Sequence, residues 1–210
     1  MDRIWRFAAV VVAIVLVLGG LSTVVPARWV TLVLALSLWV VSSAPGQSSP
    51  SPDSIRRLAP SAFPKLPIEI RRDLETRGCR VPQPWDETTS ANVIHGSFTT
   101  ARANEWAVLC SARDTSQILV YRAGGGTAID SLQRAADLGW MQGVGGVRWG
   151  YSRLLQVRPL RMIRAWRHDI DGHTIPQPVD HDAIEQAFEG KAAEAFYFAA
   201  GRWHRQVTAD

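Results

Sequence analysis

Glu105-Trp106-Ala107-Val108-Leu109-Cys110-Ser111, the polar step Ala112-Arg113-Asp114-Thr115, and Gln117-Ile118-Leu119-Val120-Tyr121-Arg122 form the stretch on which the fold turns. Both runs are of strand length and rich in β-branched and aromatic residues, and the step between them suits a hairpin. Trp106 to Cys110 is apolar at successive positions, the pattern of a strand covered on both faces, so it belongs in the middle of a sheet. Residues 92–99 have the same strand character, and 92–122 reads as an antiparallel meander.

Upstream, Pro67 suits a first helical turn, Ile70 and Leu74 share a face, and Gly78 supplies a left-handed stop, so the spacing predicts a helix over 67–77. Its charged residues form a solvated face. Downstream, two glycine-rich runs, Gly124-Gly125-Gly126 and Gly143-Val144-Gly145-Gly146, bracket 129–139, which admits a short helix. Neither run has the Lys-Ser/Thr of a phosphate-binding loop, so both read as flexible connections. Residues 151–157 read as a strand, and Pro159 opens a short helical stretch through Ile163 and Trp166. Asp182 with Glu185 three residues on is a capping-box pattern. Ile184, Ala187 and Phe188 supply an apolar face and Gly190 a stop, which predicts a helix there. Residues 194–199 and 202–207, around Ala200-Gly201, read as a closing β-hairpin. The expectation is an α+β fold, with a small antiparallel sheet of about five to six strands packed with about two to three helices in one domain at 65–210.

Cys79 and Cys110 are the only cysteines. Two lone cysteines in an exported chain pair most simply with each other, and closing a loop of about thirty residues contributes roughly 3–4 kcal/mol on the chain-entropy model. Residues 1–46 suggest export. Segment 7–25 is an almost unbroken apolar run behind Arg3 and Arg6, long enough as a helix to cross roughly 30 Å of hydrocarbon. Segment 29–41 follows Arg28, has the length of a signal-peptide core, and leads to Ala44-Pro45-Gly46, small residues where a signal peptidase inspects the chain. Two readings stay open: 7–25 is a membrane helix or uncleaved signal, or translation begins near Val25 and a cleaved signal leaves Gln47 as the mature terminus. A hairpin of both segments, which would leave the domain in the cytoplasm, sits poorly with the shortness of the second. Residues 47–64 are dense in Ser and Pro and read as a solvated tether. The expected location is periplasmic or extracellular, with the membrane as partner if the leader stays attached.

Of 210 residues 47% are hydrophobic, and the leader holds a disproportionate share of them. Removing Arg3, Arg6 and Arg28 from the 23 basic residues, and Asp2 from the 19 acidic ones, leaves the remainder nearly neutral. Its arginines are scattered among acids and make no stripe that would track a phosphate backbone, so nucleic acid is not an expected partner.

Four blocks stand out: Gly78-Cys79-Arg80-Val81-Pro82-Gln83, Asn92-Val93-Ile94-His95-Gly96-Ser97-Phe98, Glu105-Trp106-Ala107-Val108-Leu109-Cys110-Ser111 and Asp180-His181-Asp182-Ala183-Ile184-Glu185. Together they resemble a family of uncharacterised exported bacterial proteins. The resemblance runs from about Pro67 to the carboxyl terminus, and the cysteine blocks are its most specific part. It implies a secreted domain with paired cysteines and no assigned activity.

Two groups of residues carry candidate chemistry. His168, Asp169, Asp171, His173, Asp180, His181 and Asp182 are dense in imidazole and carboxylate, the ligand types that assemble a divalent-metal site. The candidate ligands are His168, Asp169, His173, Asp180 and His181. Their spacing follows no established metal motif, and Asp171-Gly172 is an ordinary turn dipeptide. The second group is tryptophan: Trp85, Trp106, Trp140, Trp149, Trp166 and Trp203. Most of these, at least four, are expected in the core, while Trp140 and Trp149 flank a glycine-rich loop and are the candidate ligand-facing residues. Ser97 lacks a nucleophile elbow and nothing nominates a carboxylate pair, so no catalytic residue is assigned. The sequence therefore points to an exported, non-catalytic binding or structural domain. The alternatives are a metal-binding protein or metal-dependent hydrolase built on 168–182, and a glycan or peptide receptor built on the tryptophans.

Overall fold

In the computed structural model, which describes residues 49–146 and 148–209, the expected meander is present and has a fourth strand. The strands are β1 (Arg57–Leu58), β2 (Val81–Pro82), β3 (Val93–Gly96), β4 (Glu105–Ala112), β5 (Thr115–Arg122), β6 (Asp130–Ala136), β7 (Met141–Gly143), β8 (Trp149–Tyr151), β9 (Arg153–Arg158), β10 (Ala183–Phe188), β11 (Ala192–Ala199) and β12 (Arg202–Ala209). The helices are α1 (Ile68–Thr76) and α2 (Leu160–Ile163), with short 3-10 turns between elements. The leader segments 7–25 and 29–41 lie outside the described residues. Among the described residues no helix is long and apolar enough to cross a membrane.

The α+β expectation is overturned, because the described chain is mostly β: two four-stranded sheets, β3-β4-β5-β6 and β12-β11-β10-β9, and two small ribbons, β1-β2 and β7-β8. Alternation along the central strands shows how the layers meet. Ala107, Leu109, Ile118 and Val120 share one core with Leu155, Ile184 and Phe196, so the two large sheets pack face to face. Val108, Cys110, Leu119 and Tyr121 point the other way, against Ile70 and Leu74 of α1. The far face of the second sheet, Ala183, Ala195 and Tyr197, is covered by Ile163, Ile175 and Val179 of the segment leading into β10. Trp106 to Cys110 is therefore the doubly covered strand its composition implies.

One expected helix, and one segment that admitted a helix, are strands. Ala183–Phe188 is an inner strand, paired with β9 on one side and β11 on the other. Period two wins over period 3.6 because both faces are covered: Ile184 faces the intersheet core, and Ala183 the outer cluster. Asp182 does cap a helix, though another one, since its Oδ1 accepts the Leu160 N–H at the start of α2 (2.8 Å). Residues 129–139 likewise supply an edge strand, β6, and one 3-10 turn. The domain also starts earlier than the Ser/Pro composition suggests: β1 pairs with β2, and Ile55 belongs to the intersheet core.

Two buried polar groups, Arg153 and Asn92, tie these layers together, and a third, Gln83, closes a loop. Arg153, fully buried between the sheets, donates to Ser116 O (3.1 Å), Ser116 Oγ (2.8 Å), Gln133 O (2.7 Å) and Gln186 Oε1 (2.7 Å). Its guanidinium also lies 4.6 Å from the Trp140 ring. Asn92 donates to Pro82 O (2.7 Å) and Arg153 O (3.0 Å) and accepts from Leu155 N (2.8 Å). Gln83 accepts the Ala91 N–H (2.7 Å) and so closes the 84–90 loop. Cys79 and Cys110 are joined as expected, Cα to Cα 5.2 Å, which fastens the end of α1 to β4. Arg80 and Ser111 continue that seam as a reciprocal backbone pair (2.9 and 2.8 Å).

Candidate functional site

The structure divides the His/Asp-rich segment into separate pieces. Asp169, Asp171 and His173 bring one ligand atom each within 4.8 Å of one another. His168 instead pairs its backbone with Thr174 and is exposed. Asp180 and His181 form a pair of their own, Nδ1 to Oδ1 2.6 Å, with the His181 ring stacked on Tyr197 at 4.3 Å.

Asp169 is the hub of the first piece. Its Oδ1 accepts the backbone N–H of Asp171 (3.1 Å) and of His173 (2.8 Å). Its Oδ2 lies 3.1 Å from His173 Nδ1 and 2.9 Å from Nδ1 of the buried His204. Burial would raise the Asp169 carboxyl, but the His173 backbone N–H and the His204 and His173 imidazoles outweigh it and hold the group down at about 2. A carboxylate offers about four lone-pair sites, and the turn and β12 already engage them. Together with Ile170 N to Arg205 O (2.8 Å), this arrangement pins the covering segment to β12. His204 was invisible to the sequence argument because it lies far along the chain from the cluster it completes.

Four of the six tryptophans pack against the cores, as expected: Trp140 and Trp203 on the intersheet core, Trp106 on the α1 side and Trp166 on the outer cluster. None of the six is fully buried: Trp106, Trp140, Trp166 and Trp203 are half-buried, and Trp85 and Trp149 are exposed, at 47% and 37%. Trp140 packs against Arg153 and against Phe188, ring centroids 5.5 Å apart, and with Phe188, Gln186 and Val207 lines a groove of about 170 Å³. Trp149 lines a groove of about 250 Å³ together with Trp85, Arg56, Arg148 and Val144, floored by Ile55, Gly150 and Tyr151.

Trp85 is held there by construction. Its backbone N–H donates to Tyr151 O (2.8 Å), and its side chain lies directly over Gly150. A Cβ at position 150 would stand 2.5 Å from Trp85 Cγ and 2.7 Å from Val144 Cγ1, so only glycine admits this approach. The glycine-rich connection thus shapes a groove wall.

No family model, curated protein or solved structure matches this chain.

Beside the groove, Glu189 is held up at about 7 by burial first and then by the negative charges of Asp86 and Glu87. Glu189 opens the β10–β11 turn, its N–H donating to Ser152 O (3.0 Å), one residue past the groove floor. Trp85 is the groove residue that sequence reasoning under-weighted. Its signal was the Gln83-Pro84-Trp85 run, where proline fixes the approach of an aromatic residue just after a strand.

Proposed function

We propose that this chain is an exported binding domain that takes a saccharide in the groove between Trp85 and Trp149. The observation that carries the reading is the pairing of two exposed indoles in one groove, one of them seated on a glycine that nothing larger can replace. Large, rigid aromatic faces with a polar edge suit the apolar faces of sugar rings, and they cost little conformational entropy to present. Arg148 and the Arg56 guanidinium, which already donates to Glu87 O (2.8 Å), supply hydrogen-bond donors at the rim. The Cys79–Cys110 bond fits an oxidising compartment, and the resemblance of the four sequence blocks to exported proteins supports the same location.

Tryptophan emission of the purified protein, titrated with a panel of neutral and acidic oligosaccharides and with peptides as a second arm, tests this. A saturable shift with a sugar, weakened at least tenfold by Trp149→Ala and by Trp85→Ala, is expected. Unchanged emission across the sugars, or a response to peptides alone, would sink the saccharide reading.

A further inference from the structure

A separate pocket lies at the β4–β5 turn of the first sheet, beside the disulfide. It encloses about 140 Å³ and is lined by Arg77, Arg113 and Arg134, with Thr115, Gln117, Ala112 and Cys110. No carboxylate lines it. Arg77 is partly neutralised by Asp73, Nε to Oδ2 2.6 Å, and that carboxylate also accepts the Tyr121 hydroxyl (2.8 Å). The side chains of Arg113 and Arg134 make no hydrogen bond or ion pair among the described residues.

The backbone places both unpaired arginines in unusual ways. Arg113 and Asp114 form the two-residue turn between β4 and β5, with φ of +52° and +55°. Such a turn favours Asn-Gly, and an arginine at a left-handed position is disfavoured. Asp114 turns to Arg57 (3.1 Å), so its charge is spent away from the pocket. Arg134 follows a bulge in β6: Gln133 and Arg134 together oppose Gln117, and Gln133 has φ +49°. A bulge re-aims the side chain beside it. Two local departures from regular hairpin geometry therefore deliver guanidiniums to one pocket, where they leave about two positive charges uncompensated.

We propose that this pocket binds a small dianion of the phosphate class, inorganic phosphate or a phosphate monoester. Guanidinium forks match tetrahedral oxyanions, the charge surplus matches a dianion better than a single carboxylate, and Thr115 and Gln117 add neutral donors. The site is independent of the tryptophan groove.

Calorimetric titration of the full chain in detergent with inorganic phosphate tests it. Saturable binding that weakens with added salt, and at least tenfold in Arg134→Gln, is expected. Arg113→Asn should weaken binding similarly while raising Tm by about 2–4 °C, because asparagine relieves the turn. A purely structural arginine would lower Tm instead, and that result would overturn the assignment of Arg113. Glycerol 3-phosphate and phosphatidic acid doped into the micelles identify the source. Displacement of phosphate by the lipid alone assigns a headgroup, displacement by the soluble ester assigns a soluble ligand, and either supports the pocket. No heat with inorganic phosphate, or equal binding in parent and Arg134→Gln, overturns the proposal.

Discussion

Replacing Gly150 by alanine tests whether the groove wall is a built feature. The new Cβ would lie 2.5 Å from Trp85 Cγ, 2.6 Å from Trp85 Cβ and 2.7 Å from Val144 Cγ1. Carbon atoms settle at about 3.5–4.0 Å, so each neighbour must retreat by about 1 Å. Trp85 cannot do so by rotating its ring, because its own Cβ is among the clashing atoms and its backbone is bonded to Tyr151. Overpacking of this kind costs about 1–3 kcal/mol, and the stiffer unfolded chain returns about 0.4–1, which leaves roughly 1–2 kcal/mol of destabilisation. Gly143→Ala is the internal control: it sits opposite Trp149 in the same ribbon, and a Cβ there meets nothing within 4 Å. Urea unfolding followed by tryptophan emission should show Gly150→Ala shifted to lower urea with an altered native emission, and Gly143→Ala unchanged or slightly stabilised. Identical curves for the two variants would refute the account of the groove.

Three further outcomes follow from buried and titrating groups. Arg153→Met leaves Ser116 O, Gln133 O and Gln186 Oε1 without their donor, and should cost about 3–5 kcal/mol in urea unfolding. Glu189 binds its proton more tightly folded than unfolded, since its folded value of about 7 exceeds the ordinary one. Its contribution is therefore greatest below the ordinary glutamate range and is lost as pH rises to about 7. Glu189→Gln should match the parent at pH ~4.5 and exceed it by about 1 kcal/mol at pH ~8, a figure reduced for solvent screening of a half-exposed group. A parent-minus-variant difference that does not change with pH would refute this. Removing both cysteines, which stand 31 positions apart, should lower stability by about 3–4 kcal/mol on the chain-entropy model; a variant unfolding at the parent's urea concentration would show that the bond constrains little.

The meander was legible because Ala107, Leu109, Ile118 and Val120 alternate with Val108, Cys110, Leu119 and Tyr121, a pattern only a doubly covered pair of strands requires. The Ala183–Phe188 segment was not, since Glu185 and Gln186 interrupt its apolar residues. Asp182, Glu185, Ile184 and Phe188 satisfy the local rules for a helix start, and those rules cannot see that β9 and β11 wait on either side. Its β9 partner lies upstream beyond the intervening covering segment, out of reach of any local rule. Tertiary pairing overrode local propensity, as it does when an inner strand is short and capped by a residue that serves another element.

The candidate sites follow the same logic in reverse. Ligand density in 168–182 drew attention because imidazole and carboxylate are rare together, yet Asp169 uses them to fasten a covering segment to the sheet through His173 and His204. Trp149 was visible beside its glycines, but the residue that makes a groove of it, Trp85, comes from a loop more than sixty positions upstream and reaches β8 only because Gly150 has no side chain. Of the conspicuous residues, Asp169 is taken up in holding the covering segment, while the groove and the arginine pocket take shape where a glycine, a bulge or a left-handed turn departs from regular geometry. The left-handed turn at Arg113, which no side-chain hydrogen bond of its own explains, is the kind of local departure from which the proposed anion pocket is built, and clustering of reactive side chains in the sequence did not point to it.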